Sequence, residues 1–357
     1  MKSRAQIEAM LNYVQTVENN ALQFDEEAIL RAYETDEDNQ SLGIKVLSVF
    51  GGILASLAFC GFFFVSGLYD STGALLMFGV LLIGGAIVLA TQIKKVIIDT
   101  LSVSSFIIGL LLFGFGLAKL ELDENTLTLV FMAIGVGTLS ITRNYILCFV
   151  SVLVINGSFL TLIISNDKYD VIHFYISLLT VVTAYFFLNE SKIIAAGKAP
   201  AKLYSPVRIG LIFSLLSALF IVGKKGIFPL LPHLIWLSSI SAVGAIIFLL
   251  PKILDVLEIT SKKHRISIAV FSLVALSTTA LCPAISGAML IVLLSFFTNY
   301  KTGLAIGIIA FIYFVSQYYY DLSFTLLTKS ILMFSTGILL AGFYLLTYKK
   351  LMSNEKV

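Results

Sequence analysis

Apolar residues follow one another from Gly43 to Tyr348 with only short polar breaks, and the chain before them obeys a different rule. In residues 1–40 the apolar positions are sparse and spaced for a helix. Ile7, Met10, Leu11, Val14 and Val17 share one face of a segment near 3–18. Asp25 can cap a second helix, with Glu26 and Glu27 in the first turn, where the helix dipole favours acids. Phe24 is placed to staple against Ile29. Two such short helices bury too little to stand alone, so the expectation is a hairpin attached to a larger body.

Beyond Gly43 the runs have the length of membrane spans. Twelve are expected, near 43–68, 72–92, 97–118, 126–141, 145–165, 171–189, 207–223, 233–250, 266–282, 284–297, 302–317 and 323–348. At about 1.5 Å per residue most can cross a hydrocarbon core of about 30 Å. Lipid cannot satisfy an open sheet edge, and the runs lack a barrel's alternation. The expected fold is therefore all-α and polytopic, with about twelve transmembrane helices. The longest break, 190–206, holds Gly197, Pro200 and Pro206 and would separate a half at 43–189 from a half at 207–348. Segments 1–42 and 349–357 would lie outside the membrane. The halves share details. Lys94-Lys95 precedes the third span and Lys262-Lys263 the ninth; Arg143-Asn144-Tyr145 precedes the fifth and Thr298-Asn299-Tyr300-Lys301 the eleventh. Such matches suggest two parallel six-helix repeats. The plainer alternative is that any twelve-span chain can be cut in two.

Composition agrees with the pattern. The 357 residues are 58% hydrophobic and 13% charged, where soluble domains hold about 25% charged residues. A net charge of +3 gives no reason to expect nucleic acid as a partner. Cys60, Cys148 and Cys282 are far apart in apolar runs, with no CxxC or Cys/His cluster. No metal site, disulfide framework or cofactor is expected. The polar first 40 residues contain no short apolar run of a cleavable signal peptide.

The placement of charge sets an orientation. If the N-terminus is cytoplasmic, only Lys119, Lys168, Lys224 and Lys225 fall outside, Lys329 falls within a span, and the other 19 of the 24 Lys and Arg fall inside. That bias puts both termini on the cytoplasmic side of a bacterial inner membrane. Residues 1–40 carry Lys2, Arg4 and Arg31 against nine acids. Anionic lipid would repel them, so they read as a solvated tether or as a docking module for a cytoplasmic protein partner.

Six places carry candidate chemistry. Lys329, between Thr328 and Ser330, lies about 9 Å into the last span if that span starts at Ser323. It either snorkels outward beside Asp321 or faces the bundle and pairs with an acid, Asp321 being two turns back. The short tenth span starts Pro283-Ala284-Ile285-Ser286-Gly287-Ala288, a helix start with approachable backbone N–H groups. The alternative is close packing by small residues, as expected for Gly303-x-x-x-Gly307 and Gly337-x-x-x-Ala341. Asn156 sits mid-span and needs a partner, usually across helices. Asp99, His173 and His233 lie near span starts, where satisfied interfacial groups are ordinary.

No GxSxG, HExxH, P-loop or dinucleotide fingerprint occurs, so no enzyme is expected. Three stretches instead carry a resemblance: Leu42-Gly43-Ile44-Lys45-Val46-Leu47-Ser48-Val49-Phe50-Gly51-Gly52, Cys282-Pro283-Ala284-Ile285-Ser286-Gly287-Ala288, and Tyr318-Tyr319-Tyr320-Asp321-Leu322 followed by Thr325-Leu326-Leu327-Thr328-Lys329-Ser330. With them the chain resembles the bacterial polytopic membrane proteins that carry domain of unknown function 4401, related to the 2157 type. The resemblance implies a multi-span bacterial inner-membrane protein and no particular activity. Two expectations remain: a transporter-like or channel-like protein for a small solute or ion, with Lys329, Asp321, Pro283, Ser286, Gly287 and Asn156 as binding residues, or a non-transporting membrane scaffold or sensor that uses residues 1–40 as its contact.

Overall fold

The computed structural model describes residues 42–92, 96–224, 226, 234–259, 261–277, 279, 282–321, 327–328, 330–331, 334–335, 337–338 and 341. The expected N-terminal hairpin, Lys94, Lys95, His233 and Lys329 lie outside these residues. Every regular element described is helical: α1 (Leu42–Val65), a short 3-10 turn (Leu68–Asp70), α2 (Thr72–Gln92), α3 (Val96–Ala118), α4 (Glu124–Ile141), α5 (Tyr145–Ser165), α6 (Val171–Leu188), α7 (Glu190–Ala195), α8 (Lys198–Gly223), α9 (Ile235–Val256), α10 (Lys262–Ser277), α11 (Pro283–Phe297) and α12 (Lys301–Asp321). Eight are long and apolar enough to cross a membrane: α2, α3 from Asp99 on, α4, α5, α6, α8, α9 and α12. This is a multi-pass membrane protein.

The chain forms two compact units, Met1–Gly116 and Leu117–Val357. In the first, Phe63, Leu75, Ile108 and Leu112 build the core. Small residues bring α2 and α3 together: a methyl added at Gly79 would meet the backbone of Phe113, and one at Gly109 would meet Ile83.

The second unit holds the larger core. Its connections are tight because several helices end on a left-handed residue. Asp167, Glu258 and Asn299 have φ of 52°, 55° and 53°. The next N–H then returns five residues back: Lys168 to Ile163 O, Ile259 to Leu254 O, and Tyr300 to Ser295 O at 2.8 Å. This closure satisfies the last carbonyls and reverses the chain within a few residues. Helix starts are satisfied as well. Asp123 accepts from Asn125 N and Thr126 N, and Asn144 from Ile146 N and Leu147 N.

The segment expected as a linker, 190–206, is mostly helical: α7 and α8 occupy it except for the turn at Ala196–Gly197, and α8 begins at Lys198, nine residues before the span expected there. Pro200 lies in its first turn, where no intrahelical N–H is lost, and Pro206 lies inside it. Arg208, placed by its charge in a cytoplasmic loop, is in this helix and 8% exposed. The physical reason is local: aromatic rings and an acid surround the guanidinium. The boundary between compact units falls at Gly116.

α11 is the inner helix of the second unit, packed by α12, α9 and α8 and touching α6. Its 15 residues span only about 22 Å. Phe187, late in α6, lies by Arg208 in the first half of α8, and His173, early in α6, meets Ser238, early in α9. The bundle therefore has an Arg208 end and a His173 end, about 21 Å apart along α6.

Candidate functional site

At the His173 end, the start of α11 is closely packed. Pro283, Ser286 and Gly287 are all buried. The Ser286 hydroxyl donates to Pro283 O at 3.1 Å. A methyl at Gly287 would collide with the Leu219 side chain of α8, and Gly223 of α8 lies against Ala284. The small residues bring two helices into contact. Gly303 and Gly307 do the same for α12 against Ser295 and Val292 of α11.

Asn156 is half-buried on α5. Its Nδ2 donates to Val152 O at 2.8 Å and its Oδ1 accepts from Tyr175 of α6 at 2.9 Å. That amide ties α5 to α6. Asp321, the last residue of α12, and Asp99, in the first turn of α3, are partly buried. His173 is fully buried, with Nδ1 at 3.0 Å from Ser238 Oγ. Ser238 donates its own proton to Ile235 O. The direction of the bond between Nδ1 and Ser238 follows the imidazole tautomer. Nε2 is buried with no protein partner.

The Arg208 end is the most developed polar cluster among the described residues. Nη1 of Arg208 donates to Glu190 Oε1 of α7 at 3.1 Å and to the Tyr204 hydroxyl at 3.3 Å. Tyr204 donates to Phe186 O. The guanidinium carbon lies 3.7 Å from the Tyr300 ring centroid, 4.7 Å from Tyr204 and 5.6 Å from Phe187. Three aromatic faces and one carboxylate thus hold one cation. The side chain of Arg208 is 9% exposed and that of Glu190 33%. Nε of Arg208 is buried without a protein partner. Tyr300 owes its position to left-handed Asn299. Burial pushes its phenol above the ordinary value, Tyr145 adds to that, and Arg208 and Thr302 act against it. The sequence reasoning missed this corner. Its one available signal was the match of Arg143-Asn144-Tyr145 with Asn299-Tyr300-Lys301, since Tyr145 and Tyr300 are brought within electrostatic reach.

Two sets of hydroxyls in the second unit contrast. On α4 and α5, buried Thr128, Thr138 and Ser151 each donate to the carbonyl four residues back. Less buried Ser177 on α6 and exposed Ser217 on α8 do likewise. Fully buried Thr180 and Thr183 on α6, Ser214 on α8, Ser239 on α9 and Ser295 on α11 have no protein partner. A helix offers such a hydroxyl the local carbonyl, and these five make no bond to it. Among the described residues no group of three or more His, Cys, Asp or Glu could hold a metal.

The family model for domain of unknown function 4401 matches residues 41–350. The chain belongs to this family. The match begins one residue before α1, so every described helix of this DUF4401 protein lies inside it and the acidic segment 1–40 lies outside. Among curated proteins and among solved structures, none matches.

Proposed function

We propose that this DUF4401 protein provides a transporter-like or channel-like path for a small solute or ion through the second unit. One observation carries the reading. Thr180, Thr183, Ser214, Ser239, Ser295 and His173 Nε2 are buried polar groups that no protein atom satisfies. Each such group costs about 1–3 kcal/mol in a packed interior. A scaffold gains nothing from that cost, whereas a path needs groups to replace the hydration of what passes. On this reading the chain crosses a bacterial inner membrane twelve times, with both termini cytoplasmic. The clustering of Arg143, Lys192, Lys198, Lys202 and Lys301 with Arg208 supports a cytoplasmic side for the Arg208 end. The nearness of Tyr145 and Tyr300 supports parallel repeats. The role is not enzymatic and needs no cofactor.

The test is shrink–swell light scattering of proteoliposomes in glycerol, sodium acetate and potassium chloride. At least one should permeate faster than into empty liposomes. Thr180→Val with Thr183→Val should remove at least nine tenths of that excess while the melting temperature holds or rises. Permeability equal to that of empty liposomes in all three sinks the path. One observation favours the scaffold or sensor instead: the seam of Gly223, Ala284, Leu219 and Gly287 is filled by protein. That reading assigns partner contact to residues 1–40, and a normal cellular phenotype after their deletion would count against it.

A further inference from the structure

We infer that Arg208 is the binding group for a small organic carboxylate, and that Glu190 is its built-in, displaceable counter-ion. This deepens the path reading and rests on it.

The guanidinium of Arg208 is the one buried cation among the described residues, and five N–H donors radiate from it. Nη1 donates to Glu190 Oε1 and to the Tyr204 hydroxyl, and the Tyr300 hydroxyl is a further side-chain partner of the guanidinium, so Glu190 meets it through a single contact. Arginine and a carboxylate can instead make two parallel bonds, which are stronger and geometrically selective. Here Nε–H has no protein partner despite its burial. The corner therefore holds unsatisfied capacity for an acceptor.

Glu190 is also placed to leave. It opens α7, a helix of only six residues, and its side chain is a third exposed. Released into water, its carboxylate is solvated at little cost, whereas Arg208, 9% exposed, cannot follow it. An incoming carboxylate would restore neutrality at the buried end of the pair.

Charge and shape set the ligand class. One buried cation neutralises one negative charge, and the doubly charged form of inorganic phosphate, dominant in mildly alkaline buffer, would leave the second charge uncompensated. The present occupant is itself a carboxylate, so the corner already accepts that group. The rings of Phe187, Tyr204 and Tyr300 lie over the guanidinium. They favour a flat apolar body behind the carboxylate, so benzoate should bind better than acetate. Ser295, with no protein partner, lies beside Gly303 and the Tyr300 ring and adds a hydroxyl donor at the same end.

The test uses full-length protein in detergent and follows thermal unfolding against sodium benzoate, sodium acetate and sodium phosphate, each compared with sodium chloride at equal ionic strength. Benzoate should raise the melting temperature of the wild type, acetate less, and phosphate no more than chloride. Glu190→Gln removes the competitor and should lower the half-effective benzoate concentration about tenfold. Arg208→Lys keeps the charge but loses the planar fork, and should raise it at least tenfold. Should Glu190→Gln not fold, Glu190→Ala replaces it with the same expected direction. The proposal is overturned if benzoate and chloride act alike on the wild type, or if the Glu190 variants respond no better than the wild type. Swelling measurements separate the two readings. Benzoate binding without flux of any solute leaves the carboxylate site standing and removes the path. Glycerol flux without a benzoate response does the reverse.

Discussion

The two ends of α11 are built on opposite terms. At its start, Gly287 is filled by Leu219, Ala284 by Gly223, and the Ser286 hydroxyl is closed onto Pro283 O. The one hydroxyl of that helix start is satisfied, although His173 Nε2 at the same end of the bundle has no protein partner. At its far end Ser295 Oγ lacks a protein partner, and the next connection lays Tyr300 on a buried guanidinium whose Nε is unmatched. The small residues and proline that mark a helix start as a ligand corner serve here as close-packing devices. The long cation that hydropathy assigns to a loop is held in an aromatic box instead. Smallness allows approach, and only the neighbour decides whether what approaches is a ligand or another helix.

The comparison can be broken at either end. The largest effect is expected at the polar one. Arg208→Met strands a partly exposed carboxylate and removes three ring contacts, so it should destabilise by about 3 kcal/mol, the low side for a broken buried pair because Glu190 can reach water. Chemical unfolding in mild detergent reads this, and Arg208→Met with Glu190→Gln should recover part of the loss. Full stability of Arg208→Met would show that the corner holds nothing together.

At the packed end, Gly287→Ala should cost about 1–2 kcal/mol, because the added methyl must push aside the Leu219 side chain. Leu219→Ala opens that space, so the double variant should lose less than the sum of the two singles. Strict additivity would mean that the seam is loose. Gly287→Ala should leave the benzoate response unchanged, whereas a lost response would merge the two ends into one site.

The smallest effect lies between them. Tyr175→Phe removes the bond to Asn156 and should cost about 0.6 kcal/mol, the usual worth of an interhelical hydrogen bond within membranes. A loss several times larger would give that amide a part in the path.

Some of this was legible in the linear chain. Membrane crossing follows from apolar run length, because lipid forces each segment to satisfy its own backbone. Most helix positions followed, and so did the family, from the Leu42–Gly52, Cys282–Ala288 and Tyr318–Ser330 stretches. Asn156 was singled out because a mid-span amide must find a partner, and Tyr175 is that partner. The extent of α8 was not legible, since Pro200, Pro206, Gly197 and three lysines read as a break while position within the helix makes the prolines tolerable. Nor was the burial of Arg208. Its environment is made by Phe187 from α6, Glu190 from α7, Tyr204 one turn back and Tyr300 from the α11–α12 connection. A charge's cost depends on which groups surround it in space, and those groups meet only when the helices pack.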